Sequence, residues 1–172
     1  MPTVILRPST TISAGNWSVT DANIPGTLND QSDITLTNNT SQNEQFVVNL
    51  DDVPSELSSV NFTGIQFNVR AKRSGKGNAT FEASVTKPPS TAVVELSQVV
   101  SNDGLADHSS NNVSINFNAD TVNDLFFVLD TTDGTQVFIS EVSVTLTYTD
   151  PTNGILKLNN GLIQLTSGKI TL

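Results

Sequence analysis

Apolar and polar residues alternate with a period of two along most of the chain, which predicts β-strands that each bury one face. In the clearest run, Ile65, Phe67 and Val69 alternate with polar neighbours. The same pattern recurs in residues 81–86, 113–118 and 142–149. Further strands are predicted at 3–7, 33–37, 45–50, 92–99, 125–129 and 136–140.

Turn residues separate these runs, and only two short segments favour a helix. Glycine, proline and Asp-Gly signals predict turns at 74–78, 87–89 and 132–134. One helical turn is predicted at 54–58, and a second at 120–126 behind a possible Asp120 cap. Many short strands with such spacing predict an all-β fold, specifically a jelly-roll-like antiparallel β-sandwich.

A boundary near Asp150-Pro151 divides this predicted sandwich, residues 1–150, from a short tail at 151–172. The tail repeats every seven residues, with glycine at 154, 161 and 168. A helical heptad fits the spacing, but a glycine in each repeat disfavours a helix by about 1 kcal/mol each. Asn-Gly and Ser-Gly before short alternating runs instead predict tight turns between strands.

The predicted tail strands would share one apolar face, which we expect to bind a partner or to support oligomerisation, with a trimer favoured. A small meander of this kind is not stable alone in water. It must pack on the sandwich, on other copies of the chain, or on another protein. The predicted contact residues are Leu156, Leu158, Ile163, Leu165, Ile170 and Leu172.

The charge and residue composition of the chain disfavour several classes of function. The net charge of −9 disfavours binding to nucleic acid, which depends on neutralising phosphates. Charged residues make up only 15% of the chain, so neutral Ser, Thr and Asn supply most of its polarity, a style typical of fibrous, virion and cell-surface proteins. Cysteine is absent, which excludes disulfides. No signal peptide and no membrane-spanning segment is predicted.

The sequence offers little that could support catalysis, and we predict a non-enzymatic protein without cofactor or metal. His108 is the only histidine and is expected in a solvated polar loop, 101–112. Catalysis would require a nucleophile and an orienting group beside it. Among the paired carboxylates, Asp130 and Asp133 near Gly134 come closest to a calcium loop, but a hairpin turn is the favoured interpretation.

Two features are candidates for binding. Four basic residues surround one glycine-rich turn: Arg70, Lys72, Arg73 and Lys76. A charged hairpin that protects a sheet edge is the favoured interpretation, and contact with an acidic partner is the alternative. The single tryptophan, Trp17, could stack on a sugar, although packing against the core is the commoner role for a lone tryptophan in a sandwich.

Several residues and motifs follow one another in a distinctive order: Arg7-Pro8, Gly15-Asn16-Trp17, Leu28, Asp30, Asp33-Ile34, the strand at 65–75, a helical turn at 120–125 and a final strand at 142–148. This ordered set resembles small phage proteins that carry a jelly-roll, galactose-binding-like domain and serve as virion accessory proteins. The resemblance covers about residues 5–149. An acidic stretch of that family is reduced here to residues 26–30, and the heptad tail lies outside the usual domain.

The resemblance implies a virion structural protein that is made in the host cytoplasm and bound to other virion proteins. We expect a capsid decoration protein that binds the outside of the head through the major capsid protein. The alternative is a tail-fibre or baseplate adhesin that binds host surface glycans. Neither nucleic acid nor a membrane is an expected partner.

Overall fold

A computed structural model describes the chain at residues 1–15, 17–18, 28, 36–38, 44–73, 77, 79–101, 104–131, 137–149, 157–159 and 162–164. Within them, two antiparallel sheets form a jelly-roll-like β-sandwich, as the alternating pattern predicted. Among the described helices, none is long and apolar enough to cross a membrane.

The first sheet, sheet A, contains seven of the described strands: β1 (Thr3–Leu6), β3 (Trp17–Ser18), β4 (Leu36–Asn38), β6 (Phe62–Arg73), β9 (Ala106–Ser109), β10 (Val113–Phe117) and β12 (Val137–Tyr148). Five of them lie in the order β10-β6-β12-β4-β3, while β1 pairs with β12 and β9 pairs with β6. The twelve-residue strands β6 and β12 pair along almost their whole length and form the centre of the sheet.

The second sheet, sheet B, contains five described strands: β2 (Pro8–Ser13), β5 (Glu44–Leu50), β7 (Ala79–Lys87), β8 (Thr91–Val100) and β11 (Phe126–Thr131). They lie in the order β2-β5-β11-β7-β8. The turn between β7 and β8 contains a cis Pro88-Pro89 peptide bond. A separate two-stranded hairpin pairs β13 (Lys157–Asn159) with β14 (Leu162–Gln164).

Aromatic side chains connect the two sheets through the core. Phe67 of sheet A and Phe127 of sheet B meet edge to face, with ring centroids 5.4 Å apart. Both rings are almost wholly buried, as is Phe46, which lies 6.2 Å from Phe127. Such ring pairs add about 0.5–1.5 kcal/mol beyond the burial of their area. The inward faces of both sheets therefore form one hydrophobic core.

The two predicted helical turns are present but shorter than expected. The first is a 3-10 turn, η1 (Ser55–Leu57), and the second is a helix, α1 (Ala119–Asn123). Asn118, rather than Asp120, caps α1, because its Oδ1 accepts a hydrogen bond from the amide of Thr121 at 3.0 Å. The predicted Asp120 cap is therefore wrong by two residues.

The strands differ from the sequence prediction in several places, among them the short strand β3, which was not predicted. The runs at 136–140 and 142–148 belong to one strand, β12, which passes through a bulge between Ile139 and Glu141. Strand β2 was not predicted, because its residues are mostly polar and exposed. The expected loop around His108 contains strand β9, which pairs with β6.

Candidate functional site

The outward face of sheet B carries a row of four polar residues that comes from four adjacent strands. Asp130 on β11 lies opposite Gln45 on β5 and opposite Glu82 on β7. Glu82 in turn lies opposite Ser97 on β8. Since opposite residues on neighbouring strands have Cβ atoms about 4.5–5.5 Å apart, these side chains form a continuous polar row.

A second row runs beside the first, two residues further along each strand. It contains Val47, Val128, Ser84 and Glu95, in that order across the sheet. Ser84 shares a hydrogen bond of 3.1 Å with Thr86. The valines provide an apolar floor between polar groups, which is the surface needed to hold a ligand that has both apolar and hydrogen-bonding faces.

All residues of the two rows except Val47 line an open depression of about 400 Å³. We call it the acidic groove and define it by its lining residues: Gln45, Glu82, Ala83, Ser84, Glu95, Leu96, Ser97, Val128 and Asp130. A second depression of about 500 Å³ continues the same face beyond Asn49 and Phe126. Phe126 is half-buried and lies opposite Asn49, so an aromatic ring borders the far end of this surface.

The three carboxylates of the groove are uncompensated within the described part of the chain. No described cationic side chain forms an ion pair with Glu82, Glu95 or Asp130. The Oδ1 atom of Asp130 is inaccessible to solvent and has no hydrogen-bond partner among the described residues. A buried carboxylate oxygen without a donor loses hydration that nothing replaces, which costs about 1–3 kcal/mol or more.

The outward face of sheet A shows what a compensated row looks like in the same protein. Arg70 lies between Glu141 on β12 and Asp107 on β9 in the strand register. Arg7 also donates to Glu141, with Nη1 and Oε1 2.8 Å apart. Nearby, Ser109 donates to Asn68 at 2.9 Å. Glu141 on sheet A therefore has an ion-pair partner, whereas none is found for the groove carboxylates among the described residues.

Three of the four residues of the predicted basic turn fall within the described chain, at the end of β6. Arg70 stands between two carboxylates, and the Nζ atom of Lys72 lies 5.6 Å from the centroid of the Phe138 ring. Arg73 is half-buried opposite Val137. Lys76 lies outside the described residues. Contact between this turn and an acidic partner stays a prediction.

Trp17 packs in the core instead of presenting its ring to a ligand. Only 5% of the residue is exposed, and its ring meets Phe46 edge to face at 5.1 Å. Strand β3 belongs to sheet A and β5 to sheet B, so the contact bridges the sandwich. Trp17 is therefore a core residue, the role that the sequence favoured, and its covered ring does not offer a stacking surface for a sugar.

His108 is also placed differently from the prediction, since it lies half-buried on β9 rather than in a solvated loop. Its ring meets Phe81 edge to face at 5.9 Å, and Nε2 is buried without a partner among the described residues. Burial lowers the pKa of His108 below its usual value, against smaller opposing effects of a hydrogen bond to the backbone of Ala71 and the charge of Asp107. His108 lines a shallow depression together with Ser101 and Gly104.

In the tail, the described residues form two paired antiparallel strands and not a helix. Leu158 on β13 lies opposite Ile163 on β14, and Asn159 lies opposite Leu162. The turn predicted at Asn160-Gly161 lies outside the described residues. The other predicted contact positions lie outside the described residues: Leu156, Leu165, Ile170 and Leu172. Binding of a partner by this tail stays a prediction.

The described residues contain no group of three or more histidine or acidic side chains arranged to hold a metal ion. Of the predicted candidate calcium loop, only Asp130 is described, and Asp133 lies outside the described residues. Ionised carboxylates accept hydrogen bonds but do not donate them. The groove is therefore suited to a ligand that supplies hydroxyl or ammonium donors.

Sequence reasoning did not identify the groove. The alternating pattern assigned Glu82 and Ser84 to the polar side of a strand, but the partners across the sheet depend on the register. A single sequence does not encode that register in a readable form, because Asp130 lies 48 residues from Glu82. The missed residues are Gln45, Glu82, Ser84, Glu95 and Ser97.

Comparison with known proteins assigns neither a family nor a function to this chain. No protein-family model matches the chain. No curated protein matches it either. Among solved structures, the CBM22-1 xylan-binding domain of Paenibacillus barcinonensis Xyn10C is 11% identical, with a TM-score of 0.48 over 84% of this chain and 94% of that domain.

Two further solved structures are similar to this chain at a comparable level. CBM35 from Paenibacillus barcinonensis is 15% identical, with a TM-score of 0.40 over 83% of this chain and 99% of that one. The enzymatically active domain of bacteriophage CBA120 tailspike protein 4 is 8% identical, with a TM-score of 0.46 over 84% of this chain and 19% of that one. At such identities the likeness concerns the sandwich fold alone, because one fold supports many functions.

Proposed function

We propose that this chain is a non-catalytic binding module that takes a glycan in the acidic groove, as a tail-fibre or baseplate adhesin does at a host surface. The observation that carries the proposal is the pair of cross-strand rows in one depression of about 400 Å³. Polar acceptors of the groove surround the apolar side chain of Val128, which lies opposite Val47 on β5. A sugar ring has the complementary surface, with hydroxyl donors around its rim and C–H groups on its faces.

Two carboxylates of the groove suit a binding role. Glu82 and Asp130 occupy opposite positions on adjacent strands and rise from the same face of one sheet. They are therefore side by side beneath a bound ligand, where they can accept hydrogen bonds from neighbouring hydroxyl groups.

The proposal can be tested by binding to an array of neutral, anionic and amine-bearing glycans, followed by calorimetry with the best ligand. The blocking variant is Ser84→Ile, which fills the centre of the groove and removes one hydroxyl group. We expect it to weaken binding by at least about tenfold, or about 1.4 kcal/mol. A β-branched side chain suits a strand, so the fold is expected to be retained.

Ser143→Ile provides a matched control. Ser143 is also half-exposed and lies on the outward face of sheet A, opposite Asn68. This variant is expected to bind like the unmodified protein. Failure of every glycan class to bind, or equal losses in both variants, would reject the groove as the binding site.

Capsid decoration is the second candidate function, and the described hairpin favours it. A two-stranded hairpin is marginally stable alone in water, so β13 and β14 need a supporting surface. A virion protein or another copy of the chain would supply that surface. Deletion of residues 151–172 should then abolish association of the protein with the particle. A copy number in the hundreds per particle would favour a location on the head over one on the tail. Unchanged association and oligomeric state would refute this role for the tail.

A further inference from the structure

Strand β9 belongs to a segment at one edge of sheet A, residues 104–110, which we call the β9 strap. The four residues of β9 pair with β6, the one described strand to which β9 is hydrogen-bonded. Beyond β9, the amide of Ser110 donates to the carbonyl of Phe67 at 2.9 Å, and the Ser110 hydroxyl accepts from the Phe67 amide at 3.0 Å. Most residues of the strap are exposed. A short, exposed edge strand is among the parts of a fold that open most easily.

The strap borders a depression of about 280 Å³ between the two sheets. Ala71 of sheet A and Val100 of sheet B contribute apolar side chains to it, and both residues are almost fully buried. The strap begins at Gly104, where φ is +131°, a conformation that glycine adopts far more readily than other residues. No described atom lies within 4 Å of the position that a Cβ would take there. Gly104 is therefore suited to act as a hinge for the strap.

His108 connects the strap to the opposite sheet. Its side chain lies on the inward side of β9, opposite the buried Val69, and its ring meets Phe81 of sheet B edge to face at 5.9 Å. The ring makes a hydrogen bond to the backbone of Ala71, while its Nε2 atom is buried without a partner among the described residues. Protonation makes both ring nitrogens donors, so Nε2 would become a charged N–H group without a described acceptor. The closed strap therefore favours the neutral ring.

The charged groups near His108 act in both directions. Asp107 on the same strand favours a protonated ring. Arg70 lies opposite Asp107, and Arg73 ends β6, so both add positive charge that disfavours protonation. From sheet B, β7 and β8 bring apolar side chains to this place. Burial has the largest effect, and it lowers the pKa of His108 below its usual value of 6.5.

We propose that the β9 strap is a pH-sensitive device: protonation of His108 releases residues 104–110 from β6 and uncovers the depression, while the rest of the sandwich stays folded. An open strap exposes the ring to water, where it binds a proton more readily than in the closed strap, so a falling pH favours the open form. His108 is the only histidine of the chain, and histidine is the side chain whose ordinary pKa lies between pH 5 and 8. The pairing of β6 with β12 does not involve β9.

Hydrogen exchange of single amides, measured by NMR between about pH 7.5 and about pH 5.5, tests the proposal on the unmodified protein. Protection factors correct for the intrinsic effect of pH on exchange. The Ser110 amide, which is bonded to Phe67, reports on the strap, and amides of the β6–β12 ladder report on global unfolding. Protection of the Ser110 amide should fall several-fold as the pH drops below about 6.5. Low concentrations of urea should hardly change its exchange, because a local opening exposes little surface.

His108→Asn is the control variant, since asparagine is polar but does not titrate. In this variant, protection of the Ser110 amide should not depend on pH, whatever its level. A pH dependence that persists in His108→Asn would assign the effect to another group and overturn the proposal. Constant protection of the Ser110 amide in the unmodified protein would also overturn it. So would an equal urea dependence of the Ser110 and ladder amides, because the strap would then open only when the whole domain unfolds.

Discussion

Glu82→Gln should make the protein more stable, because it removes a repulsion that the fold retains. Glu82 lies directly opposite Asp130 on adjacent strands, and no described cation pairs with either. Two unit charges about 5 Å apart repel by about 0.8 kcal/mol in a water-like dielectric and by about 3 kcal/mol at an effective dielectric constant near 20. Glu82 is exposed, so the lower figure applies, in agreement with the range of about 0.2–1 kcal/mol for cross-strand pairs.

The expected gain is therefore about 0.5–1 kcal/mol, or a rise in Tm of about 1–4 °C for a domain of this size. Urea denaturation of the single variants Glu82→Gln and Asp130→Asn and of the double variant isolates the repulsion as a coupling free energy. Each single change should stabilise the fold, and Glu82→Gln should add little once Asp130 is neutral. The coupling should diminish at high salt.

Glu56→Gln is the matched control, because it removes the same unit of charge from an exposed position on η1. Its free energy of unfolding is expected to change by less than about 0.5 kcal/mol, as for other exposed surface sites. The reasoning is refuted if Glu82→Gln lowers the free energy of unfolding, or if its gain persists in full in the Asp130→Asn background. If Glu82→Gln stabilises the fold, then Glu82 lowers the stability of the protein while it lines the proposed binding groove.

Three further outcomes test other parts of the fold. Burial lowers the pKa of His108, so the unfolded chain binds a proton at this residue before the folded chain does, and stability should fall as the pH drops below about 6.5. In thermal melts, His108→Asn should lose less stability at acid pH than the unmodified protein does. An unchanged dependence of Tm on pH would contradict this. Phe127→Ala should cost about 3–5 kcal/mol in urea denaturation, and Phe126→Ala on the outward face much less; similar losses would argue against the assigned faces. Asn118→Ala should cost about 1 kcal/mol while Asn118→Asp restores most of it, and a neutral alanine variant would exclude the cap.

The strands that were predicted correctly are those whose alternation is uninterrupted. The run containing Ile65, Phe67 and Val69 lies within β6, with these three residues buried. Strand β2 escaped prediction because its exposed residues, mainly Ser and Thr, have no apolar face. The loop predicted around His108 is partly a strand, since a four-residue segment is too short to show a period.

The candidate site depended on information that no single segment of the chain contains. Asn118 shows the local limit, because Asn118 and Asp120 are both good cap residues and only the backbone geometry distinguishes them. The groove shows the non-local limit, because Asp130 and Glu82 become neighbours only through the register of β7 with β11. Trp17 shows that a lone aromatic residue can be interpreted as core or ligand site until its neighbours are known.

The pairing of β1 with β12 has a consequence for how the domain is made. Thr3 lies opposite Thr147, and the amide of Tyr148 donates to the carbonyl of Pro2 at 3.1 Å. Contacts between such distant parts of a chain slow folding, because the closure of a long loop must precede them. During translation, β1 leaves the ribosome long before its partner strand is synthesised. Sheet A can therefore be completed only after residue 148 has emerged, and until then the exposed edges must be kept from pairing with other chains.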